Sequence, residues 1–151
     1  MKQGELSQEV RSSSRNCLYR IQSYGDVSDQ SELVNEKYAG LFVVSFSTAG
    51  GNGEENDLSI WRGLVYLSAF LQDLHQGSNY RQPYFSHQLL LEKRSFEQVE
   101  EEGGIEEVEV KFISERIGYY NIKDYAYEVK WTILNYFIHR SNPRPWRNKQ
   151  V

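Results

Sequence analysis

Few of the 151 side chains suit nucleophilic, acid–base or metal chemistry: there is one cysteine, Cys17, and three histidines, His75, His87 and His139. Zinc-type centres usually draw two ligands from one helical face or turn, which leaves HxxxH, HExxH or paired-cysteine spacings. The three histidines show neither histidine spacing, and one thiol cannot build a thiolate site. No metal site is therefore expected. The carboxylates at 100–102 and 106–109 lack the alternating Asp/Asn/Gly order of a calcium loop and read as a solvated acidic turn. Gly50-Gly51-Asn52-Gly53 resembles a phosphate cradle only in composition. It carries no GxxxxGK[ST] lysine and no GxGxxG pattern, and Glu54, Glu55 and Asp57 would repel a phosphate there. No cofactor is expected.

For catalysis, His87 is the one candidate general base. It shares an alternating register with Phe85, Leu89 and Leu91, and if buried near Glu92 or another carboxylate it could serve as a base. The competing reading is an imidazole satisfied inside the fold, with no pocket beside it. Cys17 has no identifiable histidine partner, and His139 falls on a polar stripe. No catalytic residue is assigned, and a non-enzymatic role is the expectation.

Charge is distributed unevenly. Residues 1–20 carry Lys2, Arg11, Arg15 and Arg20 against Glu5 and Glu9, a net of +2. Residues 136–151 carry Arg140, Arg144, Arg147 and Lys149 with no carboxylate, a net of +4. The chain totals −4, so the 115 residues between hold −10. Pro143 and Pro145 stiffen the C-terminal stretch and present Arg144, Trp146 and Arg147, residue types that dominate interface energies. Arg140, Arg144, Trp146, Arg147 and Lys149 are thus the candidate partner-binding residues. Three surfaces suit them: the acidic body of a second copy or another protein, nucleic-acid phosphates, or an anionic membrane. Tyr119, Tyr120, Tyr125, Tyr127 and Tyr136 gather near the last helix, a composition also found at contact surfaces.

The elements that must position these residues are read from periodicity. Residues 1–15 are polar and Ser-rich and read as a flexible arm; 16–141 form one α+β domain, and 142–151 a basic tail. A first strand is predicted at Cys17–Tyr24 and a second at Leu41–Ser47, where apolar residues fall on both faces. Ile60, Leu64, Leu67, Leu71 and Leu74 recur at helical spacing, predicting a helix over 58–75 after an Asn56-Asp57 cap. Within it, Gly63 costs roughly 1 kcal/mol of propensity and suggests a close approach of another backbone. A β-hairpin is predicted from Tyr84–Phe96 and Ile105–Ile117, turning at Gly103-Gly104. A second helix runs from about Asp124 to His139 and stops before Pro143. The expected order is β-β-α-β-β-α: two helices packed on a mostly antiparallel sheet.

A single cysteine, a polar start unlike a signal peptide and no apolar run of membrane length suggest an intracellular protein. An acidic body with basic arms resembles the layout of small viral structural and accessory proteins, although no motif matches residue by residue. The expectation is a self-associating interaction or assembly protein that meets an acidic or anionic partner through its basic ends. The alternatives are a small enzyme or ligand-binding domain with a pocket near His87, and a nucleic-acid-binding protein.

Overall fold

The computed structural model describes residues 3–47, 54–78, 83–113 and 120–137, and among them every regular element is an α-helix. Seven follow one another: α1 (Gln3–Tyr24), α2 (Val27–Asn35), α3 (Tyr38–Ser47), α4 (Glu54–Gln76), α5 (Leu89–Glu101), α6 (Gly104–Ile113) and α7 (Ile122–Phe137). The expected α+β class is therefore overturned. The only β-type pairing among the described residues is an isolated antiparallel bridge between Ser78 and Phe85.

Each misread strand has an apolar pattern that satisfies two periods at once. In 41–47 the apolar run is short, and a short run fits a buried strand and a buried helix equally. The structure buries Tyr38, Ala39, Phe42, Val43 and Phe46 while leaving Leu41 and Val44 exposed, the three-and-four spacing of one helical face. Cys17–Tyr24 forms the last turns of α1. Gln3 to Arg15, read from the sequence as an arm, forms its first turns.

The hairpin also becomes helix. Leu91, Glu92, Ser95, Phe96 and Val99 make one buried face of α5, and Gly104 and Val108, with Ile105 and Phe112 beside them, make that of α6. Gly103 does adopt the positive φ (66°) expected of the paired glycines, but as the residue that ends one helix and opens the next. Its N–H donates to the Glu100 carbonyl at 2.9 Å. A glycine after a helix and a glycine in a hairpin turn leave the same trace in a sequence.

The two predicted helices are present, as α4 and α7. α4 is the central element. It packs on α3, α7 and α5 and meets α1, burying Ile60, Leu64, Leu67, Phe70, Leu71 and Leu74. At Gly63 a Cβ would lie 3.0 Å from the Ser45 Oγ and 3.3 Å from the Phe46 ring, so α3 does cross closely there.

Polar caps and buried amides tie the first helices together. Asp26 and Asp29 form a reciprocal capping box at the start of α2, with N–H···O distances of 3.0 and 2.9 Å. Buried Gln30 donates its side-chain amide to the Gln22 carbonyl at 2.8 Å, and Gln22 in turn donates to Asp73 at 3.3 Å. No described helix is long and apolar enough to cross a membrane.

Candidate functional site

Two polar clusters stand out from this helical frame, and α4 contributes to both. Midway along it, Arg62 lies beside the N-terminal half of α1. Its Nη1 donates to the Ser12 Oγ at 3.2 Å. One turn further along α4, the Tyr66 hydroxyl donates to the Asn16 side-chain oxygen at 3.0 Å, and its ring stacks on Tyr19 with centroids 4.1 Å apart and planes 13° from parallel. The Ser12 that accepts the Arg62 bond follows Arg11 in the chain, and Arg11 and Arg15 sit four residues apart on one face of α1. Arg15 is partly buried. Burial pushes its guanidinium below the ordinary arginine range, and the like charge of Arg11 adds to this. The ion pairs among the described residues involve none of these three arginines. Beyond the stack, Asn16, Tyr19, Arg20, Ser23 and Tyr24 line an open recess along α1. Tyr24 is exposed there, while the Ser23 hydroxyl is buried and has no hydrogen-bond partner among the described residues.

The other cluster lies at the far end of α4. Gly77 ends that helix with φ +76°, and a Cβ there would fall 2.4 Å from the Phe85 carbonyl oxygen, so only glycine fits. The Ser78–Phe85 backbone pair (2.8 and 2.9 Å) and the Gln88 N–H to Leu74 carbonyl bond (2.9 Å) fold the connection back on itself. His87 is thereby returned to the last turn of α4, opposite His75. Both imidazoles address Glu92 in the first turn of α5: His75 Nδ1 is 2.6 Å from Oε1 and His87 Nε2 is 2.5 Å from Oε2. Glu92 is 1% exposed, and the histidine side chains are 34% and 24% exposed. The carboxylate is thus buried beneath two partly exposed imidazoles. These three residues are the described group able to offer donor atoms to a metal ion, all within 4.8 Å of one another.

The partner-binding residues read from the sequence, Arg140, Arg144, Trp146, Arg147 and Lys149, lie outside the described residues, as does His139. The suggested pairing of His87 with Glu92 is present, but on a loop and a helix start, since the hairpin is absent. His75 joins them unanticipated: its positions relative to His87 and Glu92, 12 and 17 residues, match no helical repeat. The arginine face of α1 was missed because residues 1–15 have too few apolar side chains for a helical stripe. The usable signal was Arg11, Arg15 and Tyr19 at steps of four. Of the tyrosines near α7, Tyr120 and Tyr125 pack on Trp61, and Tyr127 on Phe112 and Trp131. These rings are engaged internally. Cys17 is exposed on α1.

No family profile, curated protein or solved structure matches this chain.

Proposed function

We infer that this protein is a non-enzymatic interaction module that engages a phosphate-bearing polymer, with single-stranded nucleic acid as the best-fitting class. The observation that carries the reading is the Arg11–Arg15 pair on one face of α1, with Arg15 partly buried and neither arginine in an ion pair among the described residues. Holding like charges together in a half-dry place is unfavourable for the free protein, and an incoming anion reverses that cost. The neighbouring recess supplies aromatic surface at Tyr24 and a further cation at Arg20, the combination that single strands use for backbone and base contacts. The four C-terminal cations identified in the sequence would add to the same attraction.

Fluorescence anisotropy with a labelled oligothymidine tests this on the full chain. The expected result is binding that weakens steeply between low and physiological salt, and that falls by about tenfold or more in an Arg11→Glu/Arg15→Glu variant of unchanged helicity. Absence of binding at low salt, or equal affinity in the variant, would overturn it. Self-association is a second reading, favoured by Leu41 and Val44, exposed three residues apart on the outer side of α3. Light scattering across a concentration series tests it, with a Leu41→Glu/Val44→Glu variant expected to shift any dimer to monomer.

A further inference from the structure

We propose that His75, His87 and Glu92 form a binding site for one divalent transition-metal ion of zinc type, which clamps the last turn of α4 to the first turn of α5. This reading is independent of the arginine face.

The donor chemistry carries the proposal first. Two imidazole nitrogens and one carboxylate are a known three-ligand set for zinc and for the neighbouring first-row ions, whose further coordination position is left to water or another ligand. Calcium and magnesium, which prefer all-oxygen shells, are disfavoured by the same set.

Geometry comes next. The two histidines come from separate segments, one ending a helix and the other ending a folded connection, yet both direct a ring nitrogen at the same side chain. Each uses a different carboxylate oxygen, and the rings themselves stand 5.4 Å apart at 61°, so neither blocks the other's nitrogen. Zinc takes nitrogen at about 2.0–2.1 Å and carboxylate oxygen at about 2.0–2.2 Å. With tetrahedral angles, that sets ligand atoms about 3.4 Å apart. The present 2.6 and 2.5 Å separations must therefore open by less than about 1 Å. Both histidines are partly exposed and sit at an element end or in a connection, so they can move outward while Glu92 stays in place. In the hydrogen-bonded arrangement the protons between nitrogen and oxygen occupy the space that the ion would take, and metal binding displaces them.

The surroundings fit the same use. Gly77, the Ser78–Phe85 bridge and the Gln88–Leu74 bond hold the connection without help from His87, so the cluster is prearranged by the backbone. The partial exposure of both imidazoles leaves their side of the cluster within reach of solvent. A buried carboxylate needs only enough donors to stay satisfied. A pair of imidazoles converging on it from the exposed side gives, in addition, three metal donors within 4.8 Å.

Titration of the untagged full chain with Zn2+ alone, and separately with Co2+ alone, tests the proposal. One ion per chain is expected by calorimetry, with a rise in the thermal midpoint, and Co2+ should develop the visible absorption of a low-coordinate site that Zn2+ then bleaches. His75→Ala and His87→Ala should each weaken Zn2+ binding by more than about tenfold, in line with losses seen on disturbing metal shells. A His87→Gln/Glu92→Gln variant keeps hydrogen-bonding groups of similar size without the carboxylate charge. It should retain the helical circular dichroism and lose the ion, which covers the case of an alanine variant that fails to fold. Cys17→Ala and His139→Ala should bind as the parent does. Failure of the folded chain to take up Zn2+ or Co2+ would overturn the proposal. So would unchanged binding in the His87→Gln/Glu92→Gln variant, or loss of binding in Cys17→Ala or His139→Ala.

Discussion

The middle of α4 and its last turn handle charge in opposite ways. Midway along α4, Arg62 donates to the Ser12 hydroxyl of α1, and on α1 the like charges Arg11 and Arg15 lie near each other with no ion pair among the described residues. At the α5 end, a single buried carboxylate, Glu92, has both oxygens occupied by imidazole nitrogens. Both places gather ionisable side chains on the same helix, yet only one balances them internally. A balanced cluster stabilises the fold, so its removal registers in stability. An unbalanced cluster costs stability, so its justification must come from outside the folded chain. The contrast separates what holds this protein together from what it presents to others.

The largest effect expected from this contrast is at the balanced end. Replacing both His75 and His87 by Ala leaves Glu92 buried and unpaired, with an expected cost of about 3–5 kcal/mol in chemical denaturation. Glu92→Ala should cost less, because the two imidazoles are partly exposed and water can take over their hydrogen bonds. Equal losses from the two substitutions would mean that the carboxylate is not the group being satisfied. Gly77→Ala should cost about 2–3 kcal/mol, through the positive φ and the clash with the Phe85 carbonyl, and should loosen the approach of His87.

At the unbalanced end the sign should reverse. Arg15→Leu is expected to raise stability by about 1 kcal/mol, by removing a partly buried cation that no carboxylate meets, while weakening oligonucleotide binding. A loss of stability in that variant would show that Arg15 is a structural residue. Nearby, the Tyr38 hydroxyl is buried without a partner among the described residues, so Tyr38→Phe should gain about 1 kcal/mol.

The smallest effect is a pH dependence. Burial, reinforced by Tyr19 and Tyr66, pushes the Tyr38 phenol well above its ordinary value of 10.0. A group with a raised pKa in the fold contributes no pH dependence while it is neutral in both states, below the unfolded value. Above about pH 10 the unfolded chain releases the proton and the folded one retains it. Stability should then fall with rising pH, by up to about 1.4 kcal/mol per unit from this group. Tyr38→Phe should flatten that decline in alkaline denaturation curves.

What was legible in the sequence follows from how each element is stabilised. α4 and α7 were readable because their apolar stripes run for four to six turns, long enough for the 3.6 period to separate from a period of two. α3, α5 and α6 span 10, 13 and 10 residues. Over that length Phe42-Val43-Val44, or Val108-Glu109-Val110, satisfies strand and helix alike. α1 was hidden for another reason. Its ties to α4 include the polar contacts of Gln22 with Asp73, Arg62 with Ser12 and Tyr66 with Asn16, which leave no hydrophobic period to detect.

The chain's own composition and spacing therefore determined the core helix, the last helix, the positive φ of Gly103, the close approach at Gly63 and the nomination of His87 beside Glu92. Tertiary structure alone decided that every described regular element is helical, that His75 completes the cluster, and that α4 carries Arg62 to Ser12 of α1. The physical reason is distance along the chain. Local patterns report the four residues on either side, whereas the contacts that define both clusters span from 5 residues, His87 to Glu92, to 50, Ser12 to Arg62. Such pairs meet only once the helices have packed.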